Sequence, residues 1–379
     1  MRRDPQFDDI ARAVLSREEV VAYLNGSHGE SGPRAQERIE EYLEELRTRQ
    51  RYPIYRALKH PLYPILRKIT RITENEAIVR QSTAHSRVVY VSNHRSHIDY
   101  LIEPLVLEDN EIRPPVIAAG INLFGGPLGL IHRHVTGAIP IRRNTKDPAY
   151  LITLKAYVAE ILGRHDLMFY LEGGRSYSGE MKSPKTGLIH AALQAERPDL
   201  VFLPCAVSYD LVLEDFILSR QKVKRGQRPF TRELAEMVRY AMGYRSRTFV
   251  TFGTPIDPRD YDPHARRDVL ELAHRLRDTI GRLMKVLPTH IVAQALRRSL
   301  RRAELESRVS TLLELLSAAG ANLATTDPRA VVDDAVRRFD QRGIVVIDGD
   351  RYRVRERNVL RYYARTIEHL LPVPPRKAH

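Results

Sequence analysis

The chain has 379 residues, 43% hydrophobic and 28% charged, the balance of a globular protein long enough for one large domain or two to three small ones. Its formal charge of +14 favours anionic partners, and its one cysteine, Cys205, excludes an intrachain disulfide and fits a reducing compartment. No run of about 18 apolar residues predicts a spanning helix, the first residues lack the apolar core of a signal peptide, and no zinc-finger spacing or RNA-binding aromatic signature directs the charge at nucleic acid.

Residues 1–75 read as a helical N-terminal region. Ile10, Ala13, Val14, Val20 and Val21 recur at helical intervals, a Gly/Ser-containing loop spans residues 26–33, and residues 40–46 are amphipathic. The segment 51–72 interleaves Tyr52, Tyr55, Leu58, Tyr63 and Leu66 with Arg56, Lys59, Arg67 and Lys68. Such a basic amphipathic stretch either lies on a bilayer or packs on its own core, and Pro53, Pro61 and Pro64 limit its helices.

Residues 76–257 alternate strands with helices. Strands are predicted at 87–91, 115–119, 138–141, 167–171, 201–208 and 248–253, and helices at 148–162 and 186–195. The alternation predicts an α/β fold with a mostly parallel sheet covered by helices, in which the ligand crevice lies beyond the carboxyl ends of the strands. Residues 120–130 are Gly-rich and apolar, a groove wall or a tight helix crossing; residues 220–228 form a basic loop, solvated or facing an anionic partner. Residues 258–379 read as a mainly helical C-terminal region with a β-hairpin. Helices are expected over 263–342 with a basic face at 295–302, a hairpin over 343–354 turning at Asp348-Gly349, a helix over 358–371, and a frayed tail from Pro372.

The chemistry concentrates where strands end. Val88-Val89-Tyr90-Val91 gives way to Ser92-Asn93-His94, and a helical pattern of Ile98, Leu101, Ile102 and Leu105 follows. In one continuous helix His94 and Asp99 would stand about 140° apart. They meet only if His94 lies in the turn and Asp99 on the first helical turn, where the carboxylate fixes one imidazole tautomer and favours the cation. His97 is a rival base, better read as structural or lining. Arg142 and Arg143 follow a second strand, and Glu172-Gly173-Gly174-Arg175-Ser176 follows a third, with Lys182 and Lys185 beyond it. Cys205 lies mid-strand and reads as inert packing.

His-x4-Asp at 94–99, Gly-x-Ile-x-Ile-Arg-Arg at 137–143, Glu-Gly-Gly-Arg-Ser at 172–176 and the Pro204-led strand resemble the four ordered blocks of the glycerolipid acyltransferases. The forms at 94–100 and 172–187 are most similar to the glycerol-3-phosphate 1-O-acyltransferase branch. The resemblance covers the middle half strongly and the C-terminal third more loosely, with Gly174 standing where many relatives carry Thr. It implies transfer of a fatty acyl group from an acyl-CoA or acyl carrier protein thioester to glycerol 3-phosphate, without cofactor or metal, peripherally at an anionic membrane surface on the cytoplasmic side. By the same resemblance His94 is the base and Asp99 its support. Arg142, Arg143, Arg175 and Lys185 are candidates for the acceptor phosphate. Glu172 and Gly173 shape the acceptor pocket, with Glu172 orienting an Arg or a glycerol hydroxyl, and Pro204 closes the site near the donor. Acylation of dihydroxyacetone phosphate or a lysophospholipid, and a catalytically silent membrane-binding scaffold, are the alternatives.

Overall fold

The computed structural model describes residues 5–26, 31–49, 69–124, 137–220 and 246–372, with positions 51, 53, 54 and 57. Most of the basic stretch 51–72, the apolar stretch beyond Phe124, the basic loop beyond Arg220 and the tail beyond Pro372 lie outside these residues. Three helices come first, α1 (Pro5–Leu15), α2 (Glu18–Leu24) and α3 (Pro33–Leu46). Next come β1 (Ile69–Glu74), α4 (Glu76–His85), β2 (Arg87–Ser92), α5 (Asp99–Asp109), β3 (Val116–Gly120), β4 (Ile139–Ile141), α6 (Pro148–Leu162), β5 (Leu167–Tyr170), α7 (Gly187–Leu193), β6 (Leu200–Tyr209), α8 (Asp215–Arg220) and β7 (Ser246–Phe252). The chain continues through α9 (Arg266–Leu283), α10 (Pro288–Ala295), β8 (Ser299–Arg301), α11 (Arg302–Ala318), α12 (Pro328–Gln341), β9 (Val345–Asp348), β10 (Arg351–Val354) and α13 (Arg357–Arg365).

Seven strands form one sheet in the order β1-β7-β6-β2-β5-β3-β4. The five from β6 to β4 are mutually parallel, β7 runs antiparallel to β6, and β1 runs parallel to β7. All six predicted strands are present, and the fold is the expected α/β arrangement, with a mostly parallel sheet between helices. β1 corrects the helical reading of residues 69–75: Ile69, Thr70, Ile72 and Thr73 are β-branched, suited to a pleated edge. The α/β unit therefore starts at 69, seven residues before the expected boundary.

Period-two alternation divides β2 between two cores. Val88 and Tyr90 face one core with residues of α5 and α10–α13; Val89 and Val91 face the other with residues of α1–α3, α6, α7 and α9. The C-terminal helices are thus shared between the two covers of one sheet, α9 beside α1–α3 and α10–α13 on the other face, and the division at 257 separates no independent core. Two C-terminal expectations shift. The basic run 295–302 is not one helical face, because α10 ends at Ala295 and Ser299–Arg301 pairs with β10 as a strand. The hairpin turns one residue later than expected, at Gly349-Asp350, since Asp348 already pairs with Arg351 and Gly349 takes the left-handed φ of 60°. The last helix ends at Arg365, followed by a 3₁₀ turn at Glu368–Leu370.

Candidate active site

β2 ends at Ser92, and the chain turns over the carboxyl end of the sheet before α5 begins at Asp99. Asn93 anchors this turn to β6: its Nδ2 donates to the Val207 carbonyl at 3.0 Å, and its Oδ1 accepts from the Val207 N–H at 2.7 Å. His94 sits in the turn and Asp99 on the first helical residue, with His94 Nδ1 2.8 Å from Asp99 Oδ2. The same oxygen accepts from the backbone N–H groups of Arg95 at 2.7 Å and Ser96 at 2.9 Å. Its partner oxygen accepts the Tyr209 hydroxyl at 2.6 Å. Four donors hold this buried carboxylate, so the ring it holds has one orientation and one tautomer. Tyr170, the last residue of β5, stacks on the imidazole at 4.1 Å between centroids and 12° between planes. Among the described residues, Nε2 of His94 has no hydrogen-bond partner. His97 is held elsewhere, its N–H donating to Glu214 Oε1 at 2.5 Å.

The electrostatics reverse one expectation. Burial pushes the His94 pKa down, more than Asp99 pulls it up, and the Arg175 guanidinium lowers it further. The resting ring is therefore neutral and able to accept a proton at Nε2.

The cations separate into two groups. Successive side chains point to opposite sides of an extended chain, and Arg142 and Arg143 diverge accordingly. Arg142 turns to α3, pairs with Glu45 (Nη2–Oε2 2.5 Å) and lies over the rings of Tyr42 and Tyr150. It serves the N-terminal helices and does not join the cluster beside His94, which corrects its phosphate candidacy. Arg143, although exposed, turns over the Gly120 and Gly174 backbones: a Cβ built on Gly120 lies 2.8 Å from its Nη2, and one built on Gly174 lies 3.4 Å from its Nη1. Desolvation and then Arg175 lower its pKa. Arg175 is 7% exposed and pairs with buried Glu214 at 3.2 Å. Lys182 donates to the Gly174 carbonyl at 3.1 Å and to that of Arg175, and its pKa is lowered first by burial, then by Arg143, Arg175 and Arg95 against the pull of Glu172. Arg143, Arg175 and Lys182 are close enough to repel one another, which is the condition an anion relieves.

Glu172 is 4% exposed and braces backbone, accepting from the N–H groups of His94 at 3.3 Å and Lys182 at 2.9 Å. Each of its oxygens thus joins its own loop to a neighbouring backbone, and the described residues show no arginine hydrogen-bonded to it. Gly173 has φ +65°, and a Cβ there would press on Lys185 Cγ at 3.0 Å; Lys185 is exposed. Gly179, at φ +90°, approaches α13 so closely that a Cβ would run into the Tyr362 carbonyl oxygen. Pro204 is level with Val91, three residues or about 10 Å short of His94, because β6 runs on to Tyr209. Its carbonyl accepts from Gly253 at 2.9 Å. Cys205 is buried with its thiol pKa pushed well up, consistent with packing.

Sequence reasoning passed over Tyr170, Tyr209, Glu214 and the cluster position of Lys182. Glu214 is the joint of the site, accepting from Ser96 Oγ at 2.7 Å, the His97 N–H and Arg175. No spacing signals it, since it lies 118 residues from Ser96.

Residues 70–208 match the family model described as Acyltransferase, and residues 231–374 match that of the glycerol-3-phosphate acyltransferase C-terminal region. The chain is similar to glycerol-3-phosphate acyltransferases of Aeromonas hydrophila (29% identity, 91% of this chain and 47% of that one), Hamiltonella defensa (30%, 79% and 41%) and Actinobacillus succinogenes (32%, 76% and 39%). It spans less than half the length of these curated relatives. The two models match in succession along one chain, so it carries an acyltransferase domain followed by a segment similar to the C-terminal region of glycerol-3-phosphate acyltransferases.

Proposed function

We propose that this chain moves a fatty acyl group from a thioester, acyl-CoA or acyl carrier protein, to the sn-1 hydroxyl of glycerol 3-phosphate. The product is 1-acylglycerol 3-phosphate (lysophosphatidate), the first step of phospholipid synthesis. The carrying observation is His94, its pKa lowered by burial, held by Asp99 through Nδ1 with Nε2 unpartnered among the described residues, beside the mutually repelling Arg143, Arg175 and Lys182. The names of the similar proteins favour the same acceptor.

In this reading the acceptor hydroxyl gives its proton to His94 Nε2 as its oxygen bonds to the thioester carbon. Asp99, already accepting from Nδ1–H, stabilises the imidazolium. The tetrahedral intermediate then collapses, the C–S bond breaks, and the imidazolium returns the proton to the leaving thiolate. No covalent acyl-enzyme is needed. The acceptor phosphate carries about two negative charges, and guanidinium groups match its oxygens bidentately. Work at the cytoplasmic side of a membrane fits a chain of +14 charge in which no described helix is long and apolar enough to cross one.

The test uses purified chain with labelled glycerol 3-phosphate and each donor type in turn, reading both product and free thiol. Acceptor-dependent thiol release with sn-1 labelled product supports the proposal. Thiol release without acceptor identifies a hydrolase, preference for dihydroxyacetone phosphate or a lysophospholipid reassigns the acceptor, and no release with any of them identifies a silent scaffold.

A further inference from the structure

A second concave site lies away from His94, between the end of α10 and the outer face of α13. It has a volume of about 340 Å³. Arg357, Arg361 and Arg365 line it at i, i+4 and i+8, one row along α13, and Arg297 faces them from the turn after α10. The row spans about 12 Å along the helix. Arg297, Arg357 and Arg361 are exposed and have no ion-pair partner among the described residues; Arg365 pairs with Glu180 at 3.3 Å. Leu296 and Leu360 are both buried and give the floor apolar atoms.

Four guanidiniums against one lining carboxylate, Glu368, leave an excess of positive charge beside apolar lining residues, the chemistry of a receptor for an anion carried on an apolar body. We propose that this groove binds the phosphate-bearing head of an anionic phospholipid and seats this face of the chain on a bilayer. Three features favour that occupant. The guanidinium row matches phosphate oxygens. A free phosphate makes no use of Val354, the half-buried apolar residue of the lining. Eleven lining residues suit a lipid head, whereas a stable protein partner covers about 20 to 30. The β9–β10 hairpin, whose Val354 also lines the groove, carries Val346 and Ile347 with 42% and 45% of their surface exposed, apolar side chains suited to a lipid surface. The proposal rests on the part of the functional reading that brings the chain to a membrane, and is independent of acyl transfer.

The groove also has a route to the site. On the flank of its arginine row, α13 buries Tyr362, whose carbonyl is the close neighbour of Gly179. Arg365 holds Glu180, the next residue, so an occupant drawing on Arg365 acts on the loop that carries Arg175 and Lys182.

The test is sedimentation of the full chain with vesicles of phosphatidylcholine alone and of phosphatidylcholine with 30% phosphatidylglycerol. Three proteins are compared: the parent, R357S/R361S, and R266S/R267S, which removes the same charge from exposed positions of α9 outside the groove. The parent is expected to bind only the anionic vesicles. The groove variant should partition roughly thirtyfold more weakly, and the α9 variant within about threefold of the parent. Equal losses in the two variants overturn the groove while leaving membrane binding intact. No binding by the parent overturns the membrane reading itself. Calorimetry with inorganic phosphate closes the alternative source: saturable binding lost in R357S/R361S assigns the groove to free phosphate and overturns the lipid assignment.

Discussion

Arg175 and Glu214 form an ion pair at 3.2 Å with 7% and 1% of their side-chain surfaces exposed. Glu214 also carries the Ser96 hydroxyl and the His97 N–H, so one carboxylate sets both the histidine turn and the arginine beside it. Removing one partner of a buried pair leaves the other charge unpaired, at a cost of about 3 to 5 kcal/mol. Glu214→Gln is therefore expected to lower unfolding free energy by about 3 kcal/mol in urea titrations. At temperatures where it remains folded, it should raise the apparent Michaelis constant for glycerol 3-phosphate more than that for the thioester. An unchanged acceptor constant would detach Glu214 from acceptor binding and leave it a purely structural residue.

The two adjacent arginines should behave oppositely. Arg143 stands in the repelling cluster, and loss of a charged hydrogen bond costs about 1.5 to 3 kcal/mol. Arg143→Ala is expected to raise the acceptor's Michaelis constant about 10- to 100-fold while changing the thioester's little. Arg142 is paired with Glu45 with 41% of its own side chain exposed, where such pairs contribute at most about 1 kcal/mol. Arg142→Ala should leave both constants within about threefold and lower stability slightly. Comparable acceptor effects from the two would rule out the assignment of Arg143 to the phosphate.

Much of this site was legible as sequence because it is local. A buried strand that stops at Ser92 and a helix that starts at Asp99 leave His94 one place to be, and five residues suffice to close the pair. The seventh strand was missed because Ile69–Glu74 pairs only with β7, far along the chain, so neighbouring helices set the local impression. Tyr209 and Glu214 carry no local signal, since each meets the histidine turn across more than a hundred residues. Adjacency in sequence suggests a shared role for Arg142 and Arg143, while extended backbone sends adjacent side chains apart. The place of Pro204 within its strand is not legible from its motif, since β6 outruns it by five residues.

In the proposed mechanism the His94 ring governs the pH dependence. Burial lowers its pKa below the ordinary 6.5, against the pull of Asp99. The base must be neutral, so the acid limb of kcat/KM should fall at a pH below 6.5. Asp99→Asn removes the term that raises this pKa, so the limb should move further down. It also releases the tautomer, with a loss of roughly 10³- to 10⁴-fold in kcat by analogy with triads of this kind. His94→Ala should abolish transfer with the circular dichroism spectrum unchanged. Near-normal turnover by that variant would remove His94 as the base.

Glu103, one turn into α5, offers a test through stability alone. It is 1% exposed, accepts from Ser92 Oγ at 2.5 Å, and its pKa is pushed up to about 8 by burial and then by Asp99. The folded chain therefore holds this proton where the unfolded chain, near 4.5, releases it. The stabilisation is complete below about pH 4.5 and is lost as pH rises toward 8, by up to about 1.4 kcal/mol per pH unit. Glu103→Gln keeps the shape and the acceptor for Ser92 but cannot ionise. Relative to the parent, its unfolding free energy should be similar at pH 5 and progressively higher by pH 8. A parent-minus-variant difference that is flat between those values would mean that Glu103 ionises in the fold as readily as in the unfolded chain.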